Sequence, residues 1–128
     1  MEKILLFSDD EKLFEITKQV TEGKQELIWG NYQCLETNGY PFADVVIIST
    51  VDSLHYAPAM KAIELGYNLL LEKPVAPTPH ECTDILHAAK RKGVKVLVCH
   101  VLRYAPLFVQ IKNMIDSNKL GKVLSVHH

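Results

Sequence analysis

The sequence predicts an α/β fold with an open, mainly parallel sheet and helices on both faces. Three observations support this prediction. Short apolar runs alternate with segments of helical periodicity, Gly and Pro residues separate them, and 128 residues suit one compact domain with a real core.

The apolar runs are the candidate strands. They predict strands at residues 4–7, 27–29, 43–49, 67–71, 94–99 and 123–126. The run at 43–49 is apolar almost throughout, which is typical of a parallel strand that is covered on both faces.

Helical spacing falls between these runs. It predicts a helix with Leu13, Phe14, Ile16 and Val20 that ends at Gly23, and further helices at 56–65, 79–92 and 107–117. The helix at 79–92 has the clearest signals, because Thr78-Pro79-His80-Glu81 combines a capping Thr, Pro at the first helical position and Glu three residues after the cap. Residues 31–42 are less regular and hold the loop signal Asn38-Gly39-Tyr40-Pro41.

Composition excludes several classes of protein. A net charge of −1 gives no electrostatic footprint for nucleic acid or an anionic membrane. The basic run Lys90-Arg91-Lys92 falls at a helix end, where cations complement the helix dipole. The central apolar run is too short to span a bilayer, and the amino terminus lacks a signal-peptide pattern.

The cysteines indicate a reducing compartment. Cys34, Cys82 and Cys99 are an odd number without paired spacing, so we expect no disulfide framework and a cytoplasmic protein. Zinc-like Cys/His spacing is also absent from the sequence, so no structural metal is expected.

Polar residues follow the central strands at their carboxyl ends, which is where ligands bind in open parallel sheets. Ser49 ends one strand and Thr50 follows it, and hydroxyls with an exposed helix start there could bind a cofactor's sugar or phosphate. The alternative is simple capping by Asp52 or Ser53, with His55 in the first turn of the helix.

The next two strand ends carry charge. Lys73 could act as a general acid or orient a carbonyl, and Glu72 could bond a ribose or carboxamide; a surface ion pair is the alternative. His100 and Arg103 suit an active-site rim, or else a packed His and an Arg bound to backbone carbonyls. Cys99 has no obvious adjacent base, which favours a buried core residue over a nucleophile.

From about Leu35 onward the chain resembles the Gfo/Idh/MocA family of nicotinamide-dependent oxidoreductases. The resemblance rests on ordered motifs over roughly ninety residues. These motifs are Ala43-Asp44-Val45-Val46-Ile47-Ile48-Ser49-Thr50, Leu54-His55-Tyr56, Ala62-Ile63-Glu64-Leu65-Gly66-Tyr67, Glu72-Lys73-Pro74-Val75-Ala76 and Cys99-His100-Val101-Leu102-Arg103-Tyr104.

The resemblance implies roles for these residues, with NAD or NADP as the cofactor and a sugar or polyol as the substrate. It places Thr50 and His55 near the dinucleotide, Glu72 near the nicotinamide ribose and Lys73 beside the reacting carbon. Arg103 would reach the edge of the cofactor or substrate.

The sequence departs from the family pattern at both ends. It contains no G-x-G-x-x-G turn, and its early turn Ser8-Asp9-Asp10-Glu11 is acidic, although Asp9 could correspond to the acid that binds the adenosine ribose. We therefore expect a truncated Rossmann-like nucleotide-binding domain at 1–121 and the start of a substrate domain at 122–128. The alternative is a non-catalytic fragment or interaction module that no longer binds dinucleotide.

The resemblance also predicts the strand order. The family's first strand would lie in the middle of the sheet, and a gap there would expose two unpaired edges. We expect residues 4–7 to occupy that central position, giving a flavodoxin-like or truncated Rossmann sheet with 27–29 outside it. The run at 123–126 could then pair at a sheet edge or with a second copy, which makes a homodimer an expectation.

Overall fold

The protein, seen in a computed structural model, is described over residues 2–8, 11–22, 24–30 and 43–127. These residues form five strands: β1 (Glu2–Phe7), β2 (Gln25–Gly30), β3 (Val45–Ile48), β4 (Asn68–Glu72) and β5 (Val96–Cys99). The helices among them are α1 (Glu11–Thr21), α2 (Tyr56–Glu64), α3 (Pro79–Lys92) and α4 (Pro106–Asp116). Short 3-10 helices at Asp52–Leu54 and Val101–Tyr104 precede α2 and α4.

The strands form one parallel sheet in the order β2-β1-β3-β4-β5. Ile4 lies opposite Leu27 on one side and Val45 on the other, so β1 has a partner at each edge. The predicted fold class and the central position of residues 4–7 are confirmed.

One face of the sheet carries the core. Leu5, Val46 and Leu69 lie opposite one another across three strands, and paired residues of parallel strands point to the same face. Side chains of α2 and α3 pack against this row. The buried cluster is Leu5, Ala43, Val46, Ile48, Ala59, Ala62, Ile63, Tyr67, Leu69, Leu71, Ala76, Ile85, Ala88 and Ala89.

The other face is covered unevenly. Leu6, Ile47, Leu70 and Leu97 form the matching row there, and exposure ranges from 1% at Leu6 to 66% at Leu97. Ile47 is only partly buried, whereas its neighbours Val46 and Ile48 are fully buried. Strand β3 is therefore less closely covered on this face than on the Val46 side, where α2 and α3 both pack.

Helix α3 begins and ends as its sequence predicts. The Glu81 backbone N–H donates to Thr78 Oγ1 at 3.3 Å, and Glu81 Oε2 accepts from the Thr78 N–H at 3.1 Å, which completes a capping box. Gly93 ends the helix with φ 69°, a left-handed conformation that glycine adopts without strain. The predicted bounds of this helix are confirmed.

Residues 123–126 do not form a strand, so that prediction is wrong. Leu124 is 88% exposed and Val126 is 83% exposed. A strand gains its stability from pairing and from a buried face, and this segment has neither. Helix α4, which precedes it, has no buried residue.

Among residues 2–8, 11–22, 24–30 and 43–127, no helix is long and apolar enough to cross a bilayer.

Candidate functional site

The parallel register brings the predicted site residues to one edge of the sheet. Ile48 lies opposite Leu71, and Glu72 lies opposite Cys99. The segments that begin at Ser49, at Lys73 and at His100 therefore leave three adjacent strands at the same carboxyl edge. This is the edge at which open parallel sheets bind ligands.

A small cavity collects three of the predicted residues. It has a volume of about 190 Å³ and is lined by Lys73, His100, Val101, Leu102 and Arg103. Lys73, His100 and Arg103 are all exposed, so their polar groups are accessible to a ligand. The cavity thus combines two cations and an imidazole with apolar walls.

Local backbone bonds position these side chains. The Arg103 N–H donates to the His100 carbonyl oxygen at 3.0 Å, which closes the 3-10 turn that follows β5. Through this turn Arg103 lines the same cavity as Lys73. Val101 and Leu102 were not predicted to line the cavity, although their position between His100 and Arg103 in the sequence would have indicated it.

Glu72 and Lys73 are linked through the backbone. Glu72 is the last residue of β4 and is half-buried, and its Oε2 accepts a hydrogen bond from the Lys73 backbone N–H at 2.6 Å. The Lys73–Pro74 peptide bond is cis. The hydrogen bond to the Lys73 N–H keeps the Glu72 carboxylate at the turn, while Lys73 lines the cavity.

The start of helix α2 differs from the sequence prediction in the residue that occupies its N-cap. Ser49 and Thr50 are half-buried, and Thr50 Oγ1 lies 3.5 Å from the Val51 carbonyl oxygen. His55 occupies the N-cap of α2, and no side chain forms a capping hydrogen bond there. The alternative of capping by Asp52 or Ser53 is therefore wrong, because these residues form the preceding 3-10 turn.

His55 is the best-enclosed polar residue at this edge. Its exposure is 0%, its Nδ1 lies 2.7 Å from the Pro74 carbonyl oxygen, and its Nε2 lies 3.0 Å from the Thr50 carbonyl oxygen. Both ring nitrogens thus face backbone acceptors. Because the His55 ring is fully buried, it can affect a bound ligand only by holding the two loops that it contacts.

Cys99 on β5 lies opposite Glu72 on β4, and the Glu72 carboxylate disfavours the Cys99 thiolate. Burial, and secondarily the charge of the Glu72 carboxylate, raises the pKa of the Cys99 thiol. A raised thiol pKa lowers the thiolate fraction at neutral pH. Cys99 is half-buried and is not part of the core cluster, so the expected buried core position is wrong. The cross-strand neighbour was not anticipated, because the register is set by pairing between distant parts of the chain.

Two larger hollows lie away from this edge. One of about 500 Å³ lies between α2 and α3, and one of about 490 Å³ lies between α3 and the start of β5. Their walls are mainly apolar helix faces. We place the candidate site at the smaller cavity, because the polar ends of the central strands gather there.

Asp9 falls outside the described residues. Its predicted contact with the adenosine ribose stays a prediction. Within the described ranges, no group of three or more His, Cys, Asp or Glu residues could hold a metal ion.

Comparison with known proteins gives a consistent result. A model of the Gfo/Idh/MocA family, described as an oxidoreductase family with an NAD-binding Rossmann fold, matches residues 11–100. Oxidoreductase P35 from Formosa agariphila is 42% identical over 82 residues, which are 64% of this chain and 26% of that protein. Inositol 2-dehydrogenase/D-chiro-inositol 3-dehydrogenase from Lactiplantibacillus plantarum is 36% identical over 85 residues, 66% of this chain and 24% of that protein.

A solved structure shares the fold. Scyllo-inositol dehydrogenase from Lactobacillus casei, with bound NAD(H) and scyllo-inositol, matches with a TM-score of 0.72 at 14% identity. The match covers 95% of this chain and 43% of that one. This chain thus spans about a quarter of the length of the curated relatives named above, 26% and 24%.

Proposed function

Since the chain belongs to the Gfo/Idh/MocA family of oxidoreductases with an NAD-binding Rossmann fold, we propose that it forms the nicotinamide-dinucleotide-binding part of a hydride-transferring enzyme. One observation supports this most strongly. Lys73, His100 and Arg103 line a common cavity beyond the carboxyl ends of β4 and β5. Parallel sheets bind dinucleotides at this edge.

The chemistry of the edge fits a dinucleotide. The two phosphates and the ribose hydroxyls of such a ligand need cationic donors and carboxylate acceptors, respectively. Lys73 and Arg103 offer charged donors, and the half-buried Glu72 carboxylate offers an acceptor. Ser49 and Thr50 would add polar groups from the end of β3, and Asp9 is proposed for the adenosine ribose.

Lys73 is the proposed catalytic residue. When bound, the nicotinamide ring supplies the hydride acceptor or donor. The Lys73 amine would lie beside the reacting carbon, where an ammonium group can hydrogen-bond to the substrate oxygen and hold or release a proton. Glu72 would keep the adjacent backbone in place through its bond to the Lys73 N–H.

We propose a polyol or sugar as the substrate of the whole protein. The support is the names of relatives, which include inositol dehydrogenases. Whether NAD or NADP is preferred depends on the ribose-binding end, where Asp9 is the candidate. A cytoplasmic location is proposed as well, in agreement with the free thiols of Cys82 and Cys99.

Titration with NADH, followed by nicotinamide fluorescence and by calorimetry, tests the proposal. We expect saturable binding by the wild-type chain and weakening of about tenfold or more in Lys73→Met, because a hydrogen bond from a charged donor is lost. Lys95→Met is the matched control, since Lys95 is exposed and precedes β5 at the opposite edge of the sheet.

Two results would contradict the proposal. Equal weakening in both lysine variants would mean that the effect is one of general charge. Absence of binding by the wild-type chain at millimolar NADH would favour the alternative of a module that does not bind dinucleotide.

A further inference from the structure

The His55 ring joins two loops that leave adjacent strands. Thr50 lies in the segment that follows β3, and Pro74 lies in the turn that follows β4. The ring nitrogens reach the carbonyl oxygens of these residues at 3.0 Å and 2.7 Å. The Pro74 contact spans 19 residues of sequence, so it is a tertiary contact rather than a local turn.

The ring does not serve its own helix. His55 has helical backbone angles, φ −72° and ψ −40°, at the N-cap of α2, and its side chain makes no capping bond there. Side chains at this position usually accept from the first backbone N–H groups of the helix. Here an aromatic ring points instead into the space between the two loops.

Complete burial makes the contacts strong constraints. With 0% exposure, the ring has no access to water that could replace a lost partner. A neutral imidazole has one N–H and can donate to one carbonyl, whereas a doubly protonated ring can donate to both. Which nitrogen donates depends on the tautomer, and the shorter of the two contacts is that of Nδ1 with the Pro74 carbonyl oxygen, at 2.7 Å.

We propose that His55 is a positioning residue for Lys73. Its Nδ1–H donates to the Pro74 carbonyl oxygen, one residue beyond Lys73, and Nε2 donates to the Thr50 carbonyl oxygen when it also carries a proton. The ring thereby fixes the Lys73 turn relative to the β3–α2 loop. The importance of this for chemistry rests on the proposed function, whereas the tether itself does not.

Imidazole nitrogen NMR of the wild-type chain tests the tether directly. We expect a protonated Nδ1 on His55, in either the neutral or the doubly protonated ring. An unprotonated Nδ1 would overturn the proposal, because the ring could then donate nothing to Pro74.

Three variants then test positioning. The side-chain amide nitrogen of Asn approximates the position of Nδ1, and that of Gln approximates Nε2. We therefore compare His55→Asn, His55→Gln and His55→Leu by backbone amide exchange at Glu72, Lys73 and Val75. Ala88 in the middle of α3 is the reference for global stability.

We expect exchange at Lys73 to rise roughly tenfold relative to Ala88 in His55→Gln and His55→Leu, as for one lost hydrogen bond, and to change much less in His55→Asn. Rescue by Asn alone is a result that simple loss of packing would not give. The proposal fails if the three variants behave alike at Lys73 or if all amides change in parallel. NADH titration of the wild-type chain separately decides whether the proposed function holds.

Discussion

At the scale of a single residue, the reactivity of the Cys99 thiol depends on its burial and on the neighbouring Glu72 charge. Its thiol lies opposite Glu72 in the register, and burial together with the Glu72 charge raises its pKa. Since the thiolate is the reactive form, Cys99 should react with iodoacetamide more slowly at pH 8 than an ordinary cysteine, with the rate rising at more alkaline pH. Measuring the rate against pH in a Cys34→Ser, Cys82→Ser background checks this prediction.

Glu72→Gln supplies the second part of that experiment. Removing the carboxylate charge leaves burial, the larger cause, in place, so alkylation of Cys99 at pH 8 should become faster but stay slower than that of an ordinary cysteine. Glu64→Gln is the matched control, because Glu64 is an exposed acid at the end of α2. An unchanged or slower rate in Glu72→Gln would contradict the assigned pairing.

At the residue scale the sequence predicted position at the sheet edge, whereas the roles of these residues stay predictions. Lys73, His100 and Arg103 were expected at one edge, and they line one cavity. The contacts of His55 were not foreseeable, because its partner Pro74 lies 19 residues away and is brought close by the pairing of β3 with β4. A local pattern carries no information on such a contact.

Helix α3 shows how a local signal fixes an element. Thr78→Ala should lower the free energy of unfolding by about 1 kcal/mol, since it removes the side chain that accepts from the Glu81 N–H. Urea denaturation followed by circular dichroism measures the change.

Thr83→Ala is the control on the same helix. Thr83 is exposed, and its hydroxyl donates to the Pro79 carbonyl oxygen at 2.9 Å, which adds nothing to the cap. Because Ala has a higher helix propensity than Thr, this variant should be neutral or slightly more stable. Equal losses in both variants would show that the capping box does not stabilise the helix.

Elements that depend on distant partners were predicted less well. The bounds of α3 were correct because Thr78, Pro79 and Gly93 specify them locally. Residues 123–126 are mostly apolar, as β3 is, but no strand of the described structure pairs with them and they do not form a strand. Apolar character alone therefore does not determine whether a strand forms.

The molecule as a whole has an uneven distribution of exposed apolar surface. Leu107, Phe108 and Ile111 on α4 are 63%, 41% and 43% exposed, and they follow helical spacing. A contiguous apolar surface of this kind favours association. We therefore expect the 128-residue chain to self-associate reversibly, with the apparent mass rising with concentration in light scattering.

Charge placed on α4 should weaken this association. Ile111→Lys interrupts the apolar side of the helix and should shift the chain toward monomer. Gln110→Lys adds the same charge at an adjacent exposed polar position and should have a smaller effect. A wild-type chain that stays monomeric over the whole concentration range, or equal effects of both lysines, would rule out α4 as the contact surface.

The central position of β1 has a consequence for biosynthesis. The Lys3 backbone N–H donates to Asp44 Oδ2 at 2.6 Å, so residues 41 positions apart must meet before the middle of the sheet can form. During translation β1 is made before β3, so it lacks this partner until residues 45–48 have also emerged from the ribosome. Until then the β3-facing edge of β1 has no partner, and an exposed strand edge favours non-native pairing of the nascent chain.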